Sequence, residues 1–556
     1  MDFMKEYERW LKYADDETRS ELSAITDKKE IEERFCKSLK FGTGGLRDIL
    51  GAGTNRLNKY TVRKATQGFA EFIKQSGADA MERGVAIAYD NRRRSREFAE
   101  NAAGVLAANG IRSYVFDSLR PTPELSFAVR EMKCFGGIVI TASHNPPEYN
   151  GYKLYDETGC QMTNRYTDRI IKLIDSVEDE LSVECIPFDK AGDLVTTVPA
   201  DIDERYYGET KKILFFPDMD KSGLKIVFSP QHGTANVPVR RILSDLGYNV
   251  IPVEEQCFPS EAFINTKNPN PEHPAAFELP IKKAEKCGAD IIVTTDPDCD
   301  RLGAAVLHDG EYIRLSGNQT GAIMLKYILE RRKERDELPD NGLIFNTVVT
   351  SNLGDAIAAS YGIGTEKTLT GFKYIGEKIH EHEIKRDAEF IFGYEESYGY
   401  LISPCARDKD AVQSTIMLCE MAAYYKSIGK TLYDALLDIY AKYGYYIDSA
   451  NSVKCGGLDG AERIKAIMSG LRNEPKTELG GIDVIKTEDY LSEKMQQLGF
   501  PRSNVLKYSL EDGSWVAVRP SGTEPKCKFY YCVRGETGEE AEEKLKKIKQ
   551  CIEVLK

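Results

Sequence analysis

Short apolar runs with β-strand character alternate with helical stretches along most of the chain. The first set contains "GVAIAYD", a helix from Ser95 to Asn109, "RSYVFDS" and "GGIVITAS". The second contains "LKIVFSP", "YNVIPV" and "ADIIVTTD", with helices near 237–246 and 275–286. The third contains "GLIFNTVV", a helix near 352–361 and "AEFIFGY". Such alternation predicts α/β domains with mostly parallel or mixed sheets.

The pattern changes after about Tyr446. There "SWVAVRP" and "KCKFYYCVRG" predict two adjacent antiparallel strands, and a charged helix is predicted at 539–555. We expect a smaller α+β domain in this region. At the other end of the chain the spacing predicts an amphipathic helix, with an apolar face formed by Phe3, Tyr7, Trp10 and Leu11.

Four polar loops end strands at domain-like spacing. They are "TASHNPPEYNG", "TTDPDCDRLG", "GYEESYG" and "RPSGTEPK", one in each quarter of the chain. Rigid scaffolds usually place their chemistry on such loops, so we predict four domains that face one central cleft. The expected boundaries are 1–208, 209–322, 323–445 and 446–556. The alternative is four unrelated strand-ending turns.

Length and composition narrow the class of protein. The chain has 556 residues, which is long enough for three to four domains. Its net charge is −13, which argues against a nucleic-acid partner but leaves room for a local cleft that binds a small anion. The apolar runs are too short for a membrane helix, and the charged N-terminus is unlike a signal peptide. Thirteen cysteines without C-x-x-C pairs are typical of reduced thiols. We expect a cytoplasmic protein that is a monomer or a weak homo-oligomer.

The loop after "ADIIVTT" carries three aspartates at every second position. Asp296, Asp298 and Asp300 would share one face of an extended segment. Clustered carboxylates repel unless they are protonated or bind a cation, and oxygen ligands suit Mg²⁺. An EF-hand does not fit, because Arg301 and Leu307 stand where its glycine and glutamate belong. A solvated acidic turn is the alternative.

The loop "TASHNPPEYNG" contains a serine that needs a partner. Ser143 lacks the G-x-S-x-G setting of a hydrolase nucleophile. In an extended segment His144 would point to the opposite face and would be poorly placed to take its proton. If Ser143 carried a phosphate, that phosphate would complete the magnesium shell.

Anion-binding and sugar-binding positions are spread over several loops. The glycine-rich turn Gly42–Gly45 with Arg47 predicts one anion cradle, and "RPSGT" predicts another, formed by Arg519, Ser521, Gly522 and Thr523. Lys153, Arg301 and Lys409 add positive charge, which suits a ligand with two phosphates. Glu395 and Ser397 in "GYEESYG" suit sugar hydroxyls, although a capped strand end is the alternative.

Together these loops resemble those of the α-D-phosphohexomutase superfamily, and most closely its phosphoglucomutase members. The matching segments are Thr141–Pro146, Asp296–Arg301, Glu395–Gly399 and Arg519–Pro525, in family order. The insert at 147–149 and "HGTAN" are similar to the branch with phosphoglucomutase-2, phosphopentomutase, glucose-1,6-bisphosphate synthase and bacterial phosphoglucomutases. Two features depart from the family: Gly44 replaces a frequent serine, and the stretch between Glu395 and Lys409 differs.

The resemblance implies three similar mixed-sheet α/β domains plus a smaller C-terminal α+β domain around a central cleft. It also implies a phosphoserine at Ser143, with Mg²⁺ held by that phosphate and by Asp296, Asp298 and Asp300. Catalysis would involve Ser143, His144, Lys153 and Lys409, with Lys409 as the general acid/base. Substrate would be bound by Thr43, Arg47, Arg301, Gly371, Lys373, Glu395, Ser397, Arg519, Ser521, Gly522 and Thr523.

The reaction implied by the resemblance interconverts glucose 1-phosphate and glucose 6-phosphate, with glucose 1,6-bisphosphate as intermediate and activator. Phosphopentomutase, phosphomannomutase and glucose-1,6-bisphosphate synthase activities on the same scaffold are the alternatives. A non-catalytic sugar-bisphosphate sensor is a more distant one, because the serine and all three aspartates are present.

Overall fold

The computed structural model describes residues 2–42, 44–454, 460–520 and 526–553. The chain folds into two compact units. Unit 1 comprises Met1–Leu315, Ile375–Asp387 and Tyr398–Lys426. Unit 2 comprises Ser316–Tyr374, Ala388–Ser397 and Ser427–Lys556. The four-domain boundaries expected from the sequence stay a prediction.

The N-terminal part of unit 1 begins with three α-helices and continues with a six-stranded mixed sheet and further helices. Its elements are α1 (Phe3–Tyr13), α2 (Asp16–Ser23), α3 (Lys28–Phe35), β1 (Leu46–Ile49), α4 (Lys59–Ser76), α5 (Ala78–Arg83), β2 (Val85–Tyr89), α6 (Ser95–Ala108), β3 (Ser113–Val115), α7 (Thr122–Glu131), β4 (Gly136–Ile140), β5 (Tyr149–Asp156), α8 (Asn164–Asp175), β6 (Val195–Thr197) and α9 (Asp201–Lys211). The strand order is β1-β5-β4-β2-β3-β6, in which β4, β2, β3 and β6 are parallel and β5 is antiparallel to both its neighbours.

The apolar runs "VAIAY" and "GGIVI" explain why β2 and β4 are central strands of the sheet. Every residue of β2 and β4 is buried, as expected for parallel strands covered by helices on both faces. The amphipathic helix expected at the N-terminus is α1, and its Trp10 is buried against Phe35 and Tyr60. The serine loop therefore follows directly on a fully buried strand, β4.

A five-stranded mixed sheet follows in unit 1. Its elements are β7 (Lys225–Ser229), α10 (Asn236–Asp245), β8 (Asn249–Pro252), α11 (Glu278–Cys287), β9 (Ile291–Thr295), β10 (Leu302–His308) and β11 (Glu311–Leu315). The order is β11-β10-β9-β7-β8, with β9, β7 and β8 parallel and β10 antiparallel to its neighbours. The fully buried β9 leads directly into the aspartate loop.

A third α/β region follows. Its elements are α12 (Gly317–Glu334), β12 (Gly342–Thr347), α13 (Leu353–Ser360), β13 (Gly364–Thr368), α14 (Phe372–Lys385), β14 (Glu389–Glu395), β15 (Gly399–Leu401) and α15 (Ala411–Ser427). Strand β12 lies between β13 and β14 and is parallel to both. In unit 2 this parallel sheet places the end of β14, at Glu395, on the edge that carries the turn "EESYG".

The C-terminal part of unit 2 has a different architecture. Its elements are α16 (Leu432–Tyr443), β16 (Tyr445–Lys454), α17 (Gly460–Asn473), β17 (Glu478–Leu479), β18 (Ile482–Asp489), α18 (Glu493–Gln497), β19 (Leu506–Leu510), β20 (Trp515–Pro520), β21 (Lys526–Gly535) and α19 (Gly538–Glu553). The sheet is antiparallel, with the order β16-β21-β20-β19-β18-β17. The antiparallel pair and the C-terminal helix predicted from the sequence are confirmed, as is the α/β fold with a smaller α+β domain.

Candidate active site

The serine predicted to carry the chemistry lies at the exit of β4, in a tight turn. Ser143 has a left-handed backbone with φ of 51°, and only 3% of it is exposed. Its N–H donates to Thr141 Oγ1 at 2.8 Å. Its Oγ donates to Asp296 Oδ2 at 2.7 Å, so the serine hydroxyl contacts the aspartate loop directly.

The expected orientation of His144 is wrong. In an extended segment, neighbouring side chains would point to opposite faces. The left-handed φ of Ser143 breaks that alternation and brings His144 Nδ1 to 3.1 Å from Ser143 Oγ. Desolvation and the nearby Arg301 and Arg47 guanidinium groups lower the pKa of His144 well below its usual range, so the imidazole is neutral at pH 7.

The three aspartates converge, although the loop is not extended as expected. Residues 297–299 form a turn, and Cys299 has a left-handed φ of 58°. Asp296, Asp298 and Asp300 each offer an oxygen within 4.8 Å of the others, and all three are buried. Convergence therefore comes from a turn, not from the two-residue alternation of a strand.

The oxygens of the loop are only partly satisfied by the protein. Asp296 Oδ1 accepts from the backbone N–H groups of Asp300 at 3.0 Å and Arg301 at 2.9 Å. Thr122 Oγ1 donates to Asp298 Oδ2 at 3.2 Å. Among the described residues, Asp298 Oδ1 and Asp300 Oδ1 are buried without a hydrogen-bond partner. Buried acceptors of this kind are costly unless they bind a cation, so the residues present fit a divalent metal.

Two lysines pair with the aspartates. Lys153 Nζ lies 3.0 Å from Asp298 Oδ2 and 3.7 Å from Asp300 Oδ2. Lys409 Nζ lies 3.1 Å from Asp300 Oδ2 and 3.3 Å from Asp408 Oδ1, and only 13% of its side chain is exposed. The predicted catalytic residues Lys153 and Lys409 thus lie within 4 Å of the predicted metal ligand Asp300.

The surroundings shift the pKa values of Asp296 and Asp300 in opposite directions. Burial and the neighbouring Asp300 and Asp298 carboxylates raise the pKa of Asp296 well above its usual range. Burial opposes ionisation at Asp300 as well, but the Lys409 and Lys153 ammonium groups hold the pKa of that carboxyl below its usual range. The two carboxyls are therefore shifted in opposite directions, because the lysines favour the ionised form of Asp300 while burial beside two other carboxylates disfavours that of Asp296.

A second loop supports the aspartate loop from behind. Thr234 donates to Pro297 O through its backbone N–H at 2.8 Å and through Oγ1 at 3.0 Å. A Cβ on Gly233 would lie 2.4 Å from Pro297 Cα and O. The segment "HGTAN" thus packs on Pro297, which lies between Asp296 and Asp298. In the sequence this segment only indicated a resemblance to related proteins.

Two cationic side chains of unit 1 that are predicted to bind phosphate lie beside the serine loop and the aspartate loop. Arg47 is exposed, and its Nη1 donates to Asn145 Oδ1 at 3.2 Å on the serine loop. Arg301 pairs with Glu272 and lies 3.9 Å from Asp300 Oδ1. Thr43 lies outside the described residues, and its neighbours Gly42 and Gly45 form an isolated antiparallel bridge.

Unit 2 carries the predicted sugar-binding positions. Glu395 is buried, and its Oε1 accepts from the Gly371 N–H at 2.8 Å, so the two loops meet. Lys373 is buried at the start of α14, and Ser397 is half-buried in the turn after β14. Arg519 is half-buried on β20, opposite Lys528 of β21. Ser521, Gly522 and Thr523 lie outside the described residues.

Sequence reasoning missed two residues that organise the site. Thr122, at the start of α7, anchors Asp298, and Arg92 contacts the carbonyl groups of the serine loop. The only signal for Thr122 was a threonine between two prolines. Arg92 was concealed in "DNRRRS", where three adjacent arginines look like surface charge.

Four family models match this chain in order. They are the phosphoglucomutase/phosphomannomutase α/β/α domain I over residues 38–180, domain II over 204–310, domain III over 316–443 and the C-terminal domain over 472–549. The chain belongs to the phosphoglucomutase/phosphomannomutase family. The resemblance drawn from the four loops is therefore confirmed, and with it the assignment to an enzyme of the phosphohexomutase class.

Relatives of this family member span nearly its whole length. A phosphoglucomutase of Staphylococcus epidermidis is 36% identical over 532 residues, which cover 94% of this chain and 95% of that protein. A phosphoglucomutase of Staphylococcus aureus is 36% identical over 538 residues, with 95% of each chain covered.

Solved structures share the fold. The open form of parafusin, a phosphoglucomutase from Paramecium, has a TM-score of 0.69 at 20% identity and covers 93% of this chain and 94% of that one. A phosphoglucomutase/phosphomannomutase family protein from Burkholderia thailandensis has a TM-score of 0.69 at 18% identity, covering 93% and 97%. Within the described ranges, every helix falls short of the length and apolar character that a membrane crossing requires.

Proposed function

We propose that this chain is a phosphoglucomutase, which interconverts glucose 1-phosphate and glucose 6-phosphate through phosphoserine 143 and glucose 1,6-bisphosphate. The observation that carries the proposal is the contact of Ser143 Oγ with the buried aspartate cluster, at 2.7 Å from Asp296 Oδ2. The 36% identity to phosphoglucomutases over almost the entire chain supports the choice of sugar.

Asp296, Asp298 and Asp300 would hold Mg²⁺ together with the phosphate on Ser143. Two buried oxygens, one on Asp298 and one on Asp300, have no hydrogen-bond partner within the part of the chain that the structure describes, which supports this assignment. The ion would supply charge neutralisation on the phosphoryl oxygens.

The chain's own groups account for the remaining steps of phosphoryl transfer. A sugar hydroxyl oxygen attacks the phosphorus, the bond from phosphorus to Ser143 Oγ breaks, and the hydroxyl proton passes to a base. Lys409, partly buried beside Asp300 and Asp408, is the proposed general acid/base. Lys153, paired with Asp298, and the neutral His144 would flank the transferring group. Return of the second phosphate to Ser143 reverses these roles.

The barrier to phosphate-monoester cleavage must fall by about 20 kcal/mol, which is more than any one group supplies. Holding the reacting groups in place can contribute about 7–11 kcal/mol. Electrostatic stabilisation of the phosphoryl oxygens would supply most of the rest.

The remaining predicted residues would bind the substrate. Glu395, already held by the Gly371 N–H, is the proposed partner of the sugar hydroxyls. Phosphate and sugar contacts are assigned to Thr43, Arg47, Arg301, Gly371, Lys373, Ser397, Arg519, Ser521, Gly522 and Thr523. In this scheme the four segments 1–208, 209–322, 323–445 and 446–556 are the four domains of the enzyme. Glucose 1,6-bisphosphate serves as activator, and the cysteine pattern supports a cytoplasmic location.

A substrate panel and a phosphoserine assay test the proposal. Rates are compared for the 1-phosphates of glucose, mannose, ribose and deoxyribose with trace glucose 1,6-bisphosphate. Intact mass should show an increment of about 80 Da that maps to the Ser143 peptide. Ser143→Ala should abolish both turnover and the mass increment. The control is Ser176→Ala, at an exposed helix end, which should leave both unchanged.

The outcomes separate the alternatives. Preference for glucose supports the proposal. Preference for mannose or a pentose would transfer it to phosphomannomutase or phosphopentomutase. Net formation of the bisphosphate would indicate a synthase. Substantial turnover by Ser143→Ala would refute the phosphoserine mechanism.

A further inference from the structure

We propose that Arg92 is a positioning residue, which holds the serine loop so that Ser143 Oγ reaches the aspartate cluster. The inference rests on the proposed function, since it assigns a role in phosphoryl transfer through Ser143. It concerns a residue whose guanidinium bonds to the backbone of the serine loop and would not contact the transferring group.

The guanidinium of Arg92 contacts four backbone carbonyl groups of one loop. Nη2 donates to Ser143 O at 2.6 Å and to Asn145 O at 2.5 Å. Nη1 donates to Pro146 O at 2.8 Å and to Tyr149 O at 2.9 Å. All four N–H groups of the two terminal nitrogens are therefore used on the loop that carries the serine.

The loop needs such support because its conformation is unfavourable by itself. Ser143 is a non-glycine residue with φ of 51°, a region that costs free energy outside a structure that enforces it. Its carbonyl faces Arg92, which is buried with its side chain fully covered. A buried carbonyl without a donor is costly, so these four bonds favour the observed turn over an extended one.

Arg92 is itself held from two sides. Asp90 Oδ2 lies 3.2 Å from its Nε, and Asp90 Oδ1 accepts from the Arg92 backbone N–H at 2.9 Å. The ring of Phe263 packs on the guanidinium, with 5.0 Å between the guanidinium carbon and the ring centroid. Next to it, Asn91 Nδ2 donates to Ser260 O at 2.9 Å. The Arg92 guanidinium is thus held in place by residues at the end of β2 and in the 260–263 segment, independently of its bonds to the serine loop.

The consequence for catalysis follows from this geometry. Ser143 Oγ reaches Asp296 because the turn points it there, and the turn is bonded to Arg92. Loss of the four bonds from the Arg92 guanidinium would let the serine loop move, while the substrate-binding residues would stay in place. The effect should therefore appear in kcat and in the phosphorylation rate of Ser143, more than in KM or in Mg²⁺ half-saturation.

Arg92→Lys is the decisive variant. Lysine keeps a positive charge beside Asp90, but it offers donors from a single nitrogen and cannot reproduce a planar fork on four carbonyls. The matched control is Arg331→Lys in α12 of unit 2, where a buried arginine pairs with Glu334 at 2.8 Å. Readouts are kcat, KM, Mg²⁺ half-saturation, the rate of Ser143 phosphorylation by glucose 1,6-bisphosphate, and hydrogen exchange of peptides covering 141–150.

We expect kcat and the phosphorylation rate to fall about 100-fold in Arg92→Lys, since misplacement by about 1 Å has an effect of that size. KM and Mg²⁺ half-saturation should stay within about threefold, and exchange in 141–150 should accelerate. The control should show neither change. A kcat within twofold of wild type, or equal losses in kcat and Mg²⁺ affinity without faster exchange, would overturn the inference.

Phe263→Leu covers the case in which Arg92→Lys does not fold. It removes the ring that packs on the guanidinium but none of the hydrogen-bonding groups, so the guanidinium loses one of the contacts that hold it against the loop. Faster exchange in 141–150 with a lower kcat supports the inference, and unchanged values for both overturn it. If wild-type protein turned over none of the sugar phosphates, the proposed function would fail, and the exchange measurement would still decide the role of Arg92.

Discussion

Gly233→Ala tests whether the loop behind the aspartates sets their position. A Cβ at this residue would lie 2.4 Å from Pro297 Cα and O and 2.8 Å from Pro297 C, whereas ordinary contacts begin at 3.4 Å. The atoms it meets belong to the backbone, so no side-chain rotation relieves the overlap. The φ of Gly233 is not in the left-handed region, so alanine is conformationally allowed and the whole effect comes from this contact.

The overlap corresponds to a displacement of about 1 Å at Pro297, which lies between Asp296 and Asp298. Overpacking of this kind costs about 1–3 kcal/mol of unfolding free energy. Misplacement of reacting groups by about 1 Å can lower turnover by about 100-fold. We therefore expect a modest fall in Tm with a large fall in kcat, together with a higher Mg²⁺ requirement.

Gly208→Ala is the matched control. Gly208 lies within α9, where no atom of the described residues would lie within 4 Å of an added Cβ. The same chemical change there should leave kcat unchanged and raise stability by up to about 1 kcal/mol, because alanine favours a helix. The assay is initial rate against Mg²⁺ concentration for both variants, with thermal unfolding in parallel. Wild-type kcat and Mg²⁺ dependence in Gly233→Ala would refute the reasoning.

Three further changes probe the charged groups. Asp298→Asn should raise the Mg²⁺ concentration for half-maximal rate by about 100-fold without unfolding the protein, and full activity in excess chelator would contradict it. Arg519→Ala should raise KM and lower kcat, about 30- to 1000-fold in kcat/KM, with phosphoserine retained; constants within about twofold of wild type would exclude a phosphate-binding role. Burial lowers the pKa of Lys507 to about 7, below its unfolded value of about 10.4, so between these values the unfolded state binds more protons and stability rises with pH. Relative to wild type, Lys507→Met should therefore be most stabilising below about pH 7, with an advantage that shrinks towards pH 10; a pH-independent difference in urea unfolding would contradict this.

The sequence predicted best where the information is local. The apolar strand β9 and the three aspartates after it are adjacent in the chain, so their convergence could be expected from residue types and spacing. The same holds for the antiparallel pair β20–β21 and for the helices whose apolar faces repeat at helical spacing. Even there the reason differed, because a turn with Cys299 at positive φ, and not an extended segment, brings the carboxylates together.

Features set by distant residues could not be predicted in the same way. The turn at Ser143, and with it the contact to His144, depends on Arg92, which is 51 positions away in the chain. The support of Pro297 by Thr234 spans 63 positions. Neither contact can be seen in the sequence of the loop it supports, because the donor side chain lies in a distant segment of the chain.

The make-up of unit 1 has a consequence for how the protein is made. Its last segment, Tyr398–Lys426, is separated from the first by parts of unit 2. That segment supplies Asp408 and Asp410, which accept hydrogen bonds from Tyr155 at 2.7 Å and Tyr206 at 2.9 Å, all four being buried. Domains generally fold from the N-terminus during synthesis, at about 5–20 residues per second. On the ribosome, the partner of Tyr155 follows 253 residues later and that of Tyr206 follows 204 residues later, so these buried contacts of unit 1 form only late in synthesis.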